Sequence, residues 1–231
     1  MSTTPLRAIS SMATRQVLAE LASLYQQAHG VEVQVESVGG VDAARRVEAG
    51  EAFDLVFLAS DAIDKLAAAG HVLAASRRPI VDSSVAIAVR AGVPVPDIAS
   101  EDALRRAVLE AASIGYSTGP SGTALLKLFE RWGLAETLKP RLVQARAGVP
   151  VGSLVASGEV ALGFQQLSEL MNLDGITLVG GMPPGLAITT TFTGAVAAKA
   201  QHPQAHAVLD FMSADSTAEL KRRHGMDAPK G

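Results

Sequence analysis

The 231 residues include no cysteine, which excludes disulfides, thiolate catalysis and cysteine-ligated metals. Aromatic residues make up only 4% and the formal net charge is −3. That composition offers neither a base-stacking platform nor a basic stripe for a phosphate backbone, so nucleic acid is not an expected partner. No apolar run approaches the roughly 18 residues of a membrane span, so no membrane insertion is expected. No basic segment with an apolar stretch behind it precedes the first apolar run at Leu6, so no signal peptide is read there. As written the sequence reads as cytoplasmic, or as periplasmic if a native leader has been removed. His202 and His206 stand four apart on a closing helix. With no third ligand nearby, a solvated face is a plainer reading than zinc, and no metal site is expected. No nucleophile elbow is recognisable, which removes Ser-His-Asp chemistry.

Against these absences stand 48% hydrophobic and 19% charged residues, the balance of a globular chain. Strand and helix patterns alternate, which favours α/β architecture. Residues 6–9, 31–35, 55–59, 85–89, 113–116, 142–144, 160–164, 176–179 and 188–197 read as strands. Helices are read over 13–29, 42–49, 62–69, 101–112, 123–132, from 151, and over 202–212 and 216–224.

Three polar or glycine-rich turns each follow an apolar strand and open a helix. They are Ser10-Ser11-Met12-Ala13-Thr14, Ser37-Val38-Gly39-Gly40-Val41-Asp42 and Ser117-Thr118-Gly119-Pro120-Ser121-Gly122-Thr123. Free backbone N–H groups at a helix start, helped by hydroxyls, favour an anion. Ser10, Ser11 and Thr14 bring more hydroxyls than one cap needs, and the Met12 N–H lies among them. Arg15 puts a cation where the helix dipole opposes it, which suits bidentate carboxylate binding or a solvated surface position. Gly39, Gly40 and Val41 allow either close ligand approach or a plain tight turn. Asp42 reads as the cap of its helix, or as a general base. The Tyr116–Thr123 segment has the composition of a phosphate loop without its Lys-Ser/Thr ending, so a nest for a carboxylate or oxyanion fits better than a nucleotide site. Ser117, Thr118, Ser121, Gly122 and Thr123 are its candidate contacts. The segment Gly148-Val149-Pro150-Val151-Gly152-Ser153 precedes another helix, and the backbone of Val149 and Val151 is a further candidate. Gln165 and Gln166 end a strand, and alternation should turn at least one of them toward the ligand.

The order of elements resembles the type II periplasmic binding proteins, in the branch of the molybdate-binding proteins. The likeness rests on the serine turn after the first strand, Ala44-Arg45-Arg46-Val47-Glu48-Ala49-Gly50, Asp54-Leu55-Val56-Phe57-Leu58-Ala59-Ser60, Ala161-Leu162-Gly163-Phe164 and the closing Phe211-Met212 helix. It implies two α/β lobes, residues 1–83 with 193–231 and residues 84–192, joined by two crossover strands, with hinge closure over a small anion. By position, Ser60 joins the ligand contacts.

Two departures stand out. The second turn carries Gly39-Gly40-Val41 where molybdate binders have a serine hydroxyl, and the late turn reads Gln165-Gln166-Leu167-Ser168 where they carry a ligand tyrosine. Amides donate and accept, whereas a proton-free dianion needs only donors. A larger carboxylate-bearing ligand is therefore expected. The segments Ser10 to Arg15, Ser37 to Ala44, Gly115 to Gly122 and Gly163 to Glu169 are similar to a subgroup of the same superfamily, the aconitate isomerases. That resemblance implies a cofactor-free proton-transfer isomerase of a di- or tricarboxylate, with Tyr116, Asp42, Ser10 and Glu169 as candidates for moving the proton. The competing expectation is a solute receptor for molybdate, a related oxyanion or a carboxylate, partnered by an ABC permease.

Overall fold

The computed structural model describes residues 4–146 and 148–229. In chain order, β1 (Leu6–Ser11) passes through a single 3-10 turn into α1 (Arg15–His29). β2 (Val33–Val38), α2 (Gly40–Glu48), β3 (Leu55–Ala59), α3 (Ser60–Ala68) and the long β4 (Arg78–Arg90) follow. Then come α4 (Glu101–Glu110), β5 (Ile114–Tyr116), α5 (Pro120–Arg131), α6 (Ala135–Leu138), β6 (Leu142–Gln144), α7 (Val151–Ser157) and β7 (Leu162–Gln166). The chain closes with α8 (Leu167–Leu170), β8 (Ile176–Gly181), β9 (Thr189–Val196), α9 (Ala205–Ser213), α10 (Ala218–Arg223) and β10 (Met226–Asp227). It forms two compact units, Met1–Asp82 with Thr191–Gly231, and Ser83–Thr190. β4 and β9 belong partly to each.

In the first unit the strands run β2-β1-β3-β9, with β2, β1 and β3 parallel and β9 antiparallel to β3. Alternation divides the apolar side chains between two faces. Leu6, Ala8, Leu55 and Phe57 pack with Leu18, Leu21, Val208 and Met212 of α1 and α9. Ile9, Val56 and Leu58 pack with Ala43, Val47, Ile63 and Leu66 of α2 and α3. A sheet covered on both faces needs the nearly unbroken apolar run that Leu55–Ala59 shows. Each such side chain contributes roughly 1.5–3 kcal/mol on burial. Glu20 of α1 accepts from Arg223 (2.6 Å) and pairs with His224 (2.5 Å), fastening the end of α10.

Lys221 of α10 is 1% exposed. Burial pushes its ammonium down to about 8, with Asp215 pulling weakly the other way. The folded value lies below the ordinary 10.5, so the charged side chain costs stability below pH 8 and the cost fades as pH rises toward 10.5. Lys221→Met is expected to raise the unfolding free energy by about 2 kcal/mol at pH 7, and by much less at pH 10. Urea titrations at the two pH values check it.

In the second unit the order is β8-β4-β7-β5-β6, with β5, β6 and β7 mutually parallel and β4 antiparallel to β7 and β8. Val85, Ile87 and Val89 of β4 pack with Ile114, Leu125, Phe129, Leu162 and Phe164. Val151, Val155 and Val160 form a smaller cluster over the other face.

Several boundaries differ from the sequence reading. β4 begins at Arg78 because Asp82, Ser83 and Ser84 interrupt its apolar run without interrupting its pairing. α5 begins at Pro120, whose fixed φ suits a first helical position. α2 begins at Gly40, so Asp42 is its third residue and not its cap. α9 begins at Ala205, which leaves His202 outside it and dissolves the supposed helical pair with His206; the His202 Nδ1 accepts the Gln204 N–H instead (3.2 Å). Among the described residues no helix is long and apolar enough to cross a membrane.

Candidate functional site

Parallel pairing brings the C-terminal ends of β1, β2 and β3 to one edge of the first unit. Ser10 sits level with Ser37 on β2 and Phe57 on β3. In open α/β sheets this is the edge where ligands bind. Three helices start there, with caps at Thr14, Gly39 and Ala59. The hydroxyls of the first turn are not equivalent. Ser10 donates to the Ser11 carbonyl (3.2 Å) and shares a bond with Ser37 Oγ (2.7 Å). Thr14 donates to the same carbonyl (3.2 Å). The Ser11 hydroxyl is, among the described residues, the one buried side-chain oxygen or nitrogen with no hydrogen-bond partner. Burying such a group unpaired costs about 1–3 kcal/mol, a cost a ligand oxygen would remove.

The second turn comes up beside the first, since a Cβ on Gly40 would stand 3.8 Å from Ser11 Cβ. Met12 is half-buried and Val41 is 55% exposed. Asp42 folds back along its own turn, with Oδ2 3.3 Å from where a Gly39 Cβ would be. Its other oxygen lies 3.7 Å from Arg45. Arg15 is exposed at the first position of α1 and, among the described residues, makes no ion pair. Ser60 opens α3 but spends its hydroxyl on β9, donating to the Thr191 carbonyl (3.0 Å) and meeting Thr193 Oγ1 (2.7 Å).

The second unit repeats the arrangement, with β5, β6 and β7 ending at one edge. In the turn after β5, Ser117 Oγ lies 3.0 Å from Ser121 Oγ. Ser121 and Gly122 are buried, Thr118 and Thr123 exposed. Tyr116 is half-buried against the core. The Val149 N–H is bonded to the Arg146 carbonyl (2.9 Å), which removes it as a ligand donor. The Val151 side chain is wholly buried at the start of α7.

Gln165 and Gln166 are each 3% exposed, because β7 is an inner strand covered on both faces. The expectation that alternation opens one of them to a ligand gives way to internal bonding. Gln165 Oε1 accepts the Gly152 N–H (3.0 Å) at the start of α7. Gln166 accepts from Ser83 Oγ (2.9 Å) and donates to Thr190 Oγ1 (3.2 Å).

Four residues later, Glu169 is half-buried on α8. Burial pushes its carboxyl up to about 7, and a hydrogen bond with Gln165 pulls the other way. It titrates where a group must both take and return a proton at neutral pH. Of the four proton-transfer candidates, Ser10 is committed to Ser37, Asp42 is paired with Arg45 at the surface, and Tyr116 leans on the core.

Ser37 and Gly152 lie in segments the sequence marks but were not among the named contacts, and Thr193 was not marked at all. Their signal is strand register and helix docking, neither of which is written in local pattern.

A model of the family described as bacterial extracellular solute-binding protein matches residues 6–227. An aconitate isomerase from Pseudomonas sp is 37% identical over 232 residues, covering 96% of this chain and 87% of that protein. The periplasmic molybdate-binding protein of Azotobacter vinelandii superposes with a TM-score of 0.79 at 20% identity, over 97% of this chain and 100% of that one. PEB3, a Campylobacter jejuni protein solved with L-phospholactate bound, superposes with a TM-score of 0.75 at 14% identity, over 96% and 99% of the two chains. The architecture is thus the type II periplasmic-binding-protein fold.

Proposed function

Because the chain belongs to the family of bacterial extracellular solute-binding proteins, we propose that it binds a small polycarboxylate and is a cofactor-free isomerase of trans- and cis-aconitate. The observation that carries the reading is Glu169, a carboxyl lifted to about 7 by burial at the edge where β5, β6 and β7 end. A receptor for a permanently charged oxyanion gains nothing from an acid that is ionised only in part at neutral pH. The 37% identity to an aconitate isomerase supports the same reading.

The reaction is an allylic proton shift. The base removes a proton from the methylene carbon, the electron pair spreads through the neighbouring double bond into a carboxylate, and the same proton is returned to the former vinylic carbon. One proton leaves and one arrives, so a single carboxylate suffices and no redox partner is needed. Helix starts and the Ser11 hydroxyl would hold the substrate carboxylates and stabilise the charge that builds on them. Arg15 would pair with a carboxylate at the rim. We place the protein outside the cytoplasm, on the family's description.

The test is purified protein with trans-aconitate, without added metal, products separated by chromatography. Formation of cis-aconitate is expected. No turnover, together with tight binding of molybdate or another oxyanion by calorimetry, would leave the solute receptor of an ABC importer, the reading favoured by the oxyanion-binding neighbour.

The serine turn gives an internal contrast. Ser11→Ala removes a buried hydroxyl with no intramolecular bond, so the ligand-free fold should gain about 1–3 kcal/mol of stability while KM for the carboxylate rises roughly tenfold. Ser10→Ala breaks the bond to Ser37 and should cost about 1 kcal/mol of stability. Thermal unfolding and steady-state kinetics on both variants separate the two.

A further inference from the structure

We propose that the second unit carries a further small-molecule site, in a cleft between α4, the end of β4 and the start of β7. It takes an aliphatic zwitterion of dipeptide size, with the ligand carboxylate on Arg90 and the ligand ammonium on Glu110.

The cleft lies wholly within residues 83–190 and has a volume of about 460 Å³, within the roughly 300–1,000 Å³ of ligand pockets. Val89 and Leu162, both buried, form its floor; Ala107 and Ala111 form one wall and Pro94 and Pro96 the rim. Alanine on α4 is too short to fill the space above the strands, and proline fixes φ at two places along the rim. The cleft is separate from the edge where β5, β6 and β7 end. Leu162 opens β7 and Gln166 closes it, and four strand residues span about 13 Å.

Arg90 and Glu110 are the two polar side chains of the lining. Both are exposed, and among the described residues neither side chain forms a hydrogen bond or an ion pair. Arg90 is nevertheless seated. Gly158 closes α7 at a φ of +84°, and a Cβ there would meet Arg90 Nη1 at 3.3 Å and both Cδ and Cζ at 3.9 Å. The guanidinium rests over a residue without a side chain, and its fork of donors is free for a carboxylate. Glu110 is the last residue of α4, with no basic side chain in that turn, and the negative end of a helix dipole disfavours a carboxylate there. Arg141 donates to the Leu109 and Ala111 carbonyls (2.7 Å each) but makes no ion pair with Glu110. A ligand ammonium supplies the cation that Glu110 lacks.

The two charges select the ligand class together. A plain anion would answer Arg90 and meet like charge at Glu110; a plain cation would do the reverse. Arg90 and Glu110 do not pair with each other, so their charged atoms stand more than 4.0 Å apart. That separation suits charges at opposite ends of a dipeptide better than two charges on one amino-acid carbon. The rest of the lining is aliphatic, which calls for an aliphatic body.

The experiment titrates the full chain with L-leucyl-L-leucine, followed in amide NMR spectra, with and without millimolar trans-aconitate. Shifts are expected at Val93, Ala107, Ala111 and Gly158, unchanged by trans-aconitate. N-acetylation of the dipeptide, or amidation of its carboxylate, should each weaken binding about fivefold or more. Arg90→Gln should weaken the free dipeptide and make amidation harmless, and Glu110→Gln should do the same for acetylation. Both side chains are exposed and unbonded, so both variants should melt as the parent protein does. The proposal is overturned if the cleft residues do not shift at millimolar dipeptide, or if both blocked dipeptides bind as well as the free one. It is overturned equally if the shifts centre on Ser11 and Ser117 and vanish with trans-aconitate. If acetylation alone is without effect, the cleft takes a carboxylate only and the zwitterion assignment falls.

Discussion

Glu169→Gln should lose turnover by about 10²–10⁴-fold and gain stability in the same stroke. The carboxyl is held up at about 7 against an ordinary 4.5, by burial. A raised folded value means the fold binds this proton more tightly than the unfolded chain does. The stabilising contribution is therefore complete below pH 4.5 and is lost as pH rises through 7. Above that point the folded protein holds a carboxylate in a site that disfavours charge. Glutamine has the same shape and no charge to bury, so at pH 8 the variant should be more stable by about 2 kcal/mol. Near pH 4, where the native side chain is neutral too, the two proteins should unfold alike. Urea unfolding at both pH values, with turnover of trans-aconitate measured on the same preparations, reads both effects. Equal stability at pH 8, or retained turnover, contradicts the assignment. A residue that merely packs would show no such opposition; a group kept for its proton is expected to weaken the fold it sits in.

How far such a site can be seen in a sequence depends on what fixes each part. β1 and β3 were legible because burial on both faces forces a continuous apolar run, as in Leu55–Ala59. The turns were legible because a strand that stops at Ser10-Ser11 or at Tyr116-Ser117 and restarts as a helix must leave N–H groups unpaired at the junction. The roles of individual hydroxyls were not. Ser10, Ser11 and Thr14 are equivalent as letters, and only the register Ser10↔Ser37 makes the first a tie between strands while leaving Ser11 unpaired. The glutamines were misread for a related reason. Period-two alternation says which residues share a face, but whether that face is open depends on what docks there, and both faces of β7 are covered. The raised titration of Glu169 is equally invisible to local pattern, since its cause is burial. Sequence thus marks the junctions where a strand hands over to a helix, and tertiary packing decides which polar atoms there are left unpaired.

The loop after β5 carries the sharpest steric prediction. Gly122→Ala should abolish ligand binding and cost about 3 kcal/mol or more of stability, while Gly119→Ala three residues away should be nearly silent. A Cβ built on Gly122 would lie 1.9 Å from the Ser117 carbonyl oxygen, 3.0 Å from its carbon and 3.1 Å from Tyr116 Cδ2. Two of those atoms are backbone, so no rotamer change relieves the overlap; the turn itself must move. Moving it separates Ser117 from Ser121, whose hydroxyls now stand 3.0 Å apart, and displaces the start of α5. A Cβ on Gly119 would meet only Ser117 Oγ, at an ordinary 3.8 Å, and its φ of −82° is open to any residue. Gly119 is the cap and Gly122 the third residue of α5, so helix propensity alone favours alanine at 122 and opposes it at 119, the reverse of the expected order. Calorimetric titration with trans-aconitate and thermal unfolding, run on both variants, compare them directly. If Gly122→Ala binds as well as Gly119→Ala, the turn after β5 is not part of the proposed anion site.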